Sequence, residues 1–110
     1  SRVWCNPPYG RGIKHWFAKA AEEARDLDQL VLLVYANTDT AYWHQHVAGC
    51  LEVQAVVFIK PRVKFVLPGE DNRTGAPKGS AFVFYSRHAR GPMKHYYWDY
   101  KVESLADVMS

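Results

Sequence analysis

The 110-residue chain has little cysteine, little net charge and no long apolar run. Its two cysteines, Cys5 and Cys50, lack metal-ligand spacing and sit among apolar neighbours. That excludes a zinc module or disulfide framework and predicts buried thiols in a reducing compartment. No stretch approaches the length of a membrane span, and no signal-peptide pattern opens the chain. Nothing therefore points to a membrane or to a place outside the cytoplasm. A net charge of +3 is compatible with a nucleic-acid partner without identifying one. No Ser/His/Asp set or paired carboxylates stand in a sensible place, so hydrolase chemistry has no support. His44 and His46 are two apart, which points them to different sides of a helix and makes a poor metal pair, so no metal is expected. No glycine-rich turn joins a strand to a helix; Gly10-Arg11-Gly12 is too short for a dinucleotide fingerprint. Internal repeats and low-complexity segments are also absent.

What remains is an ordinary globular composition, 48% hydrophobic and 23% charged, enough for one domain with a core. Val3-Trp4-Cys5 reads as the end of a buried strand. From Ile13 to about Leu27 the residues Ile13, Trp16, Phe17, Ala20, Ala21 and Ala24 keep a helical period, with Lys14, Lys19, Glu22, Glu23 and Arg25 on the other side. Leu30–Tyr35 is a continuous apolar run, the pattern of a central parallel strand covered on both faces. Asn37 to Thr40 offers N-caps for a second helix from about Asp39 to Ala48, and Gly49 ends it. Glu52–Ile59 predicts a strand, Arg62–Leu67 its continuation or a short piece of its own, and residues 68–79 a loop. Ala81–Tyr85 is the last strong strand. Residues 86–110 read as a basic and aromatic tail with a short helix around Glu103–Met109. Strands alternating with helices imply an α/β fold with a crossover.

The most informative stretch is Asn6-Pro7-Pro8-Tyr9, directly after the first strand. Asn6 and Pro7 each precede a proline and are biased to extended conformations, and the prolines carry no N–H. The turn is stiff, rich in acceptors and poor in donors. The Asn6 side-chain oxygen and the Pro7 carbonyl can each accept a hydrogen from an exocyclic NH2, and Tyr9 can lie on the ring that bears it. Two such acceptors favour the positive charge that develops as the amine takes an alkyl group.

These four residues resemble the NPPY motif of S-adenosylmethionine-dependent amino-methyltransferases. The wider run Trp4 to Gly10, with Ile13, Trp16 and Lys19-Ala20, resembles the phage-type DNA N-6-adenine methyltransferases, a Dam-like family. The resemblance implies a Rossmann-like methyltransferase fold of which residues 1–110 are the C-terminal part. That part runs from the NPPY strand onward, has an antiparallel last strand, and lacks the upstream cofactor-binding strands. It also implies S-adenosylmethionine as cofactor, double-stranded DNA as partner and a bacterial or phage-infected cell as setting. Asn6, Pro7, Pro8 and Tyr9 then take the catalytic role on N6 of a flipped adenine.

Arg62-Val63-Lys64-Phe65 resembles the family's R-[IV]-K-F run, and Gly75-Ala76-Pro77 with Gly79-Ser80 resembles the G-A-P-x-G-S that follows it. Phe65 is the candidate to pack on the base, with Lys64 and Arg62 near phosphates; a core Phe between solvated charges is the competing reading. Thr38-Asp39-Thr40 resembles a T-D-T run, which places Thr38 and Asp39 either at the substrate or in a helix cap. His88 and His95, with Arg87, Arg90, Lys94, Tyr96, Tyr97 and Trp98, suit nucleic acid or plain packing on the sheet. Two other functions stay open: methylation of a protein glutamine amide by the same motif, and a non-catalytic fragment without cofactor.

Overall fold

The computed structural model describes residues 1–8, 12–61 and 78–110. Its elements are β1 (Arg2–Cys5), α1 (Ile13–Glu23), β2 (Gln29–Tyr35), α2 (Ala41–Trp43) continuing as a π-helical turn (His44–Ala48), β3 (Val53–Lys60), β4 (Ser80–Tyr85), β5 (Lys94–Asp99) and α3 (Leu105–Met109). The strands form one sheet in the order β1-β2-β4-β3-β5. β1 runs parallel to β2 and β5 parallel to β3, while β4 lies antiparallel between β2 and β3. The architecture is mixed α/β.

Two apolar layers hold the sheet. On one face Phe17, Ala20 and Ala24 of α1, with Trp43 and Val47, pack on Leu30, Leu32, Val34, Val56, Val83 and Tyr85. On the other, Val31, Ala55, Val57 and Phe84 are joined by Trp98, Leu105 and Met109, so α3 is held by its apolar stripe. The Tyr85 hydroxyl donates to the His46 carbonyl at 2.7 Å, and burial pushes the phenol well above its ordinary pKa.

Several expectations need correction. β1 is exposed rather than buried, with Val3 42% and Trp4 59% accessible, because among the described residues β2 is its one neighbour in the sheet. β2 is central, yet parallel on one side only. α1 stops at Glu23, and the chain then turns by i→i−3 bonds from Arg25, Asp26 and Leu27. Trp16, expected on the buried stripe, is 40% exposed. Cys5 and Cys50 are half-buried free thiols whose pKa values are raised by burial. The antiparallel strand is β4, and it is not the last: β5 follows in the expected tail, and Tyr96 and Trp98 pack toward the core from it.

Candidate active site

β1, β2, β3 and β5 all run in the same direction, so their C-terminal ends share one edge of the sheet. Cys5 pairs with Leu32, three residues before β2 ends, and the chain leaves β1 at that edge as Asn6-Pro7-Pro8. Pro7 is buried, while Asn6 and Pro8 are exposed. The buried proline ring anchors the turn and leaves the Asn6 side chain exposed. Among the described residues no hydrogen-bond partner engages the Asn6 amide. Tyr9, the fourth residue of the motif, lies outside the described residues, as do Arg62, Lys64 and Phe65.

The loop after β2 opens at the same edge. Thr40, rather than Thr38 or Asp39, caps the following helix: its Oγ accepts from the Trp43 amide at 3.3 Å and donates to the Asn37 carbonyl at 2.8 Å. Thr38 and Asp39 are both exposed. Asn37, expected only as one of the candidate helix caps, instead donates from Nδ2 to the Tyr42 hydroxyl at 3.1 Å. The Tyr42 ring in turn stacks on Phe17 of α1 at 4.9 Å. The loop carrying Thr38 and Asp39 is thereby tied to the helix that follows the Asn6 turn. An Asn two residues past the end of an apolar strand is the sequence signal that marks such a loop.

The start of β4 completes the edge. The Ala36 amide donates to the Gly79 carbonyl at 2.9 Å, and Ser80 pairs with both Tyr35 and Ile59. Pro61 and Lys78, which flank residues 62–77, therefore both stand at this edge. The Ser80 hydroxyl is buried and has no hydrogen-bond partner among the described residues. Behind the Asn6 turn, Val3, Cys5, Trp16, Ala20, Leu30 and Leu32 line an apolar cavity of about 330 Å³. Among the described residues no group of three His, Cys, Asp or Glu side chains is placed to hold a metal.

An α/β sheet with a rigid acceptor turn and a polar Thr-Asp loop at the carboxyl ends of its parallel strands has its polar groups where open α/β sheets take their ligands. The chain belongs to the family described as DNA N-6-adenine-methyltransferase (Dam), which it matches over residues 1–107. Membership carries with it, at family level, methylation of adenine N6 in DNA. No curated protein and no solved structure gives a significant match.

Proposed function

We propose that the chain forms the acceptor-binding part of a methyltransferase catalytic domain that transfers a methyl group from S-adenosylmethionine to N6 of an adenine flipped out of the duplex. The observation that carries this reading is the exposed Asn6 amide, without a hydrogen-bond partner among the described residues, on a turn anchored by buried Pro7 at the edge where the parallel strands end. Flipping is needed because the amine cannot be reached inside the base stack.

The turn suits the cationic character of this reaction. It presents carbonyl and amide oxygens, and its two prolines bring no N–H to compete. The Asn6 Oδ1 and the Pro7 carbonyl accept the two N6 hydrogens and turn the nitrogen lone pair toward the incoming methyl. Tyr9 stacks on the base from one side, and Phe65 packs on it, with Lys64 and Arg62 against neighbouring phosphates. Pro8 keeps the backbone extended so that the acceptors stay aimed. The exposed Thr38 hydroxyl and Asp39 carboxylate, at the next strand end, would hold the donor's cationic part or the base. When bound, S-adenosylmethionine supplies a methyl carbon activated by the adjoining sulfonium. Transfer would join the amine nitrogen, held by the Asn6 and Pro7 oxygens, to that carbon and leave the carbon–sulfur electron pair on sulfur. The methylated nitrogen then loses one proton to water. No side chain has to act as a strong base, because the acceptors stabilise the charge as it forms.

The test is transfer of a radiolabelled methyl group to an adenine-containing duplex, with a glutamine peptide as the competing acceptor. Label is expected on the duplex alone. Asn6→Ala is expected to lower the rate about 100-fold or more, by analogy with deletion of one preorganised polar group, with an unchanged circular dichroism spectrum. A wild-type rate in Asn6→Ala, or label on the peptide instead of the DNA, would overturn the assignment.

A further inference from the structure

We propose that β1 is a dimerisation edge: it pairs antiparallel with β1 of a second copy and joins two five-stranded sheets into one. The inference does not depend on the methyl transfer proposed above. It begins with the backbone. The Gln29 amide donates to the Ser1 carbonyl at 3.2 Å, and Arg2 stands opposite Gln29 in the parallel ladder. Residues 1, 3 and 5 therefore turn their backbone groups to β2, while Arg2 and Trp4 turn theirs to the open edge. Among the described residues no strand lies beyond them.

The side chains of β1 carry apolar surface on both faces, unlike a strand protected against pairing by charge or proline. On one face Val3 and Cys5, with Trp16, Lys19, Ala20 and Glu23 of α1, line the apolar cavity described above. On the other, Trp4 lies against Phe82, and Arg2 alternates onto the same face. Arg2, Lys19 and Glu23 are all exposed, and the salt bridges among the described residues engage none of them.

A second copy fits because these groups complement themselves across a two-fold axis through Val3. The outward backbone groups of Arg2 then bond those of the partner's Trp4, and the reverse, as a closely spaced antiparallel pair does. Directly opposite side chains share a face, so each Arg2 guanidinium lies beside the partner's Trp4 indole as a cation–π pair. Val3 meets the partner's Val3 on the cavity side. There α1 shares its cavity with both β1 and β2, which places it over that pair of strands. The axis sets it antiparallel to its counterpart about two strand steps away, or about 10 Å. Packed helices lie about 8–10 Å apart. Lys19 and Glu23, one helical turn apart on the cavity side, then meet the partner's Glu23 and the partner's Lys19. Both Asn6 turns stay open, at opposite ends of the ladder and about 20 Å apart at about 3.4 Å per residue.

Sedimentation velocity of the 110-residue chain over a concentration series tests this. A reversible monomer–dimer equilibrium is expected. Arg2→Pro removes an outward N–H without touching the ladder to β2, and should weaken the dimer about ten-fold or more. Lys19→Glu sets like charges across the two helices and should weaken it about ten-fold. Adding Glu23→Lys to that variant restores opposite charges across the axis and should return the wild-type affinity. All three positions are exposed, so circular dichroism should stay unchanged throughout. Asn6→Ala should dimerise as the wild type does, so this proposal and the Asn6 assignment fail separately. Monomer alone at every concentration would overturn the proposal. A dimer indifferent to Arg2→Pro, or a charge reversal that Glu23→Lys does not rescue, would overturn it in favour of another surface.

Discussion

At the scale of single residues, the chain separates those that build the edge from those left free to act at it. Asn6 is exposed beside buried Pro7, so replacing its amide should change chemistry and leave folding alone. Tyr85 is the opposite case. Its buried hydroxyl is spent on the His46 carbonyl, joining β4 to the π-helical turn. Tyr85→Phe leaves that carbonyl without its donor and is expected to cost about 1–3 kcal/mol of stability, measured by urea unfolding at neutral pH. Burial raises the phenol's pKa in the folded state, so the folded protein holds its proton more tightly than the unfolded chain. Wild-type stability should therefore fall as pH rises above the ordinary tyrosine value of about 10, and Tyr85→Phe should remove that fall.

At the scale of elements, the segment from β2 into α2 shows how a short helix is started and stopped. Asn37, Thr38, Asp39 and Thr40 are all residue types that cap helices, and composition alone does not choose among them. The backbone does. Thr40 is extended and reaches the Trp43 amide, whereas Thr38 and Asp39 are exposed at the strand edge. Thr40→Ala is expected to cost about 1 kcal/mol in thermal or denaturant unfolding, while Thr38→Ala should stay within about 0.5 kcal/mol. At the other end the Gly49 amide donates to the His44 carbonyl at 2.8 Å, closing the π-helical turn. A Cβ there would stand 2.9 Å from that same carbonyl oxygen, so Gly49 is needed for a close approach.

At the scale of the whole molecule, one exposed carboxylate gathers distant parts of the chain. Asp28, before β2, accepts from the N-terminal amine at 2.8 Å and from the Arg87 guanidinium at 2.9 Å, and His88 Nε2 lies 2.9 Å away. Hydrogen bonds from the N-terminal amine, His88 and Arg87, in that order, hold its carboxyl well below the ordinary range. A depressed folded-state pKa stabilises the protein above the unfolded value of about 3.9, and that contribution is lost as pH falls below it. Acid unfolding of Asp28→Asn, followed by tryptophan fluorescence, should lack this part of the pH dependence. At one end of the sheet β1 stands as an exposed edge strand, with Trp4 against Phe82 at 5.4 Å. Such an edge favours association through its unpaired backbone groups.

Periodicity and run length were enough for α1, β2, β3, β4 and α3, because each buries a stripe or a face whose spacing is local. They were also enough to set the Asn6-Pro7-Pro8 turn at a strand end, since proline stiffness is a property of the turn itself. β5 was not legible. Lys94-His95-Tyr96-Tyr97-Trp98-Asp99 on an edge strand half turned to solvent has the composition of a tail, and only pairing with β3 makes it a strand. The cap at Thr40, the Asn37–Tyr42–Phe17 tie and the antiparallel placement of β4 between β2 and β3 depend on which segments meet across the chain. The sequence by itself determined where most helices and strands form and which turn is the candidate for the chemistry. Only the tertiary structure decided which strand ends share an edge, because strand order and direction are set by long-range pairing that no local pattern encodes.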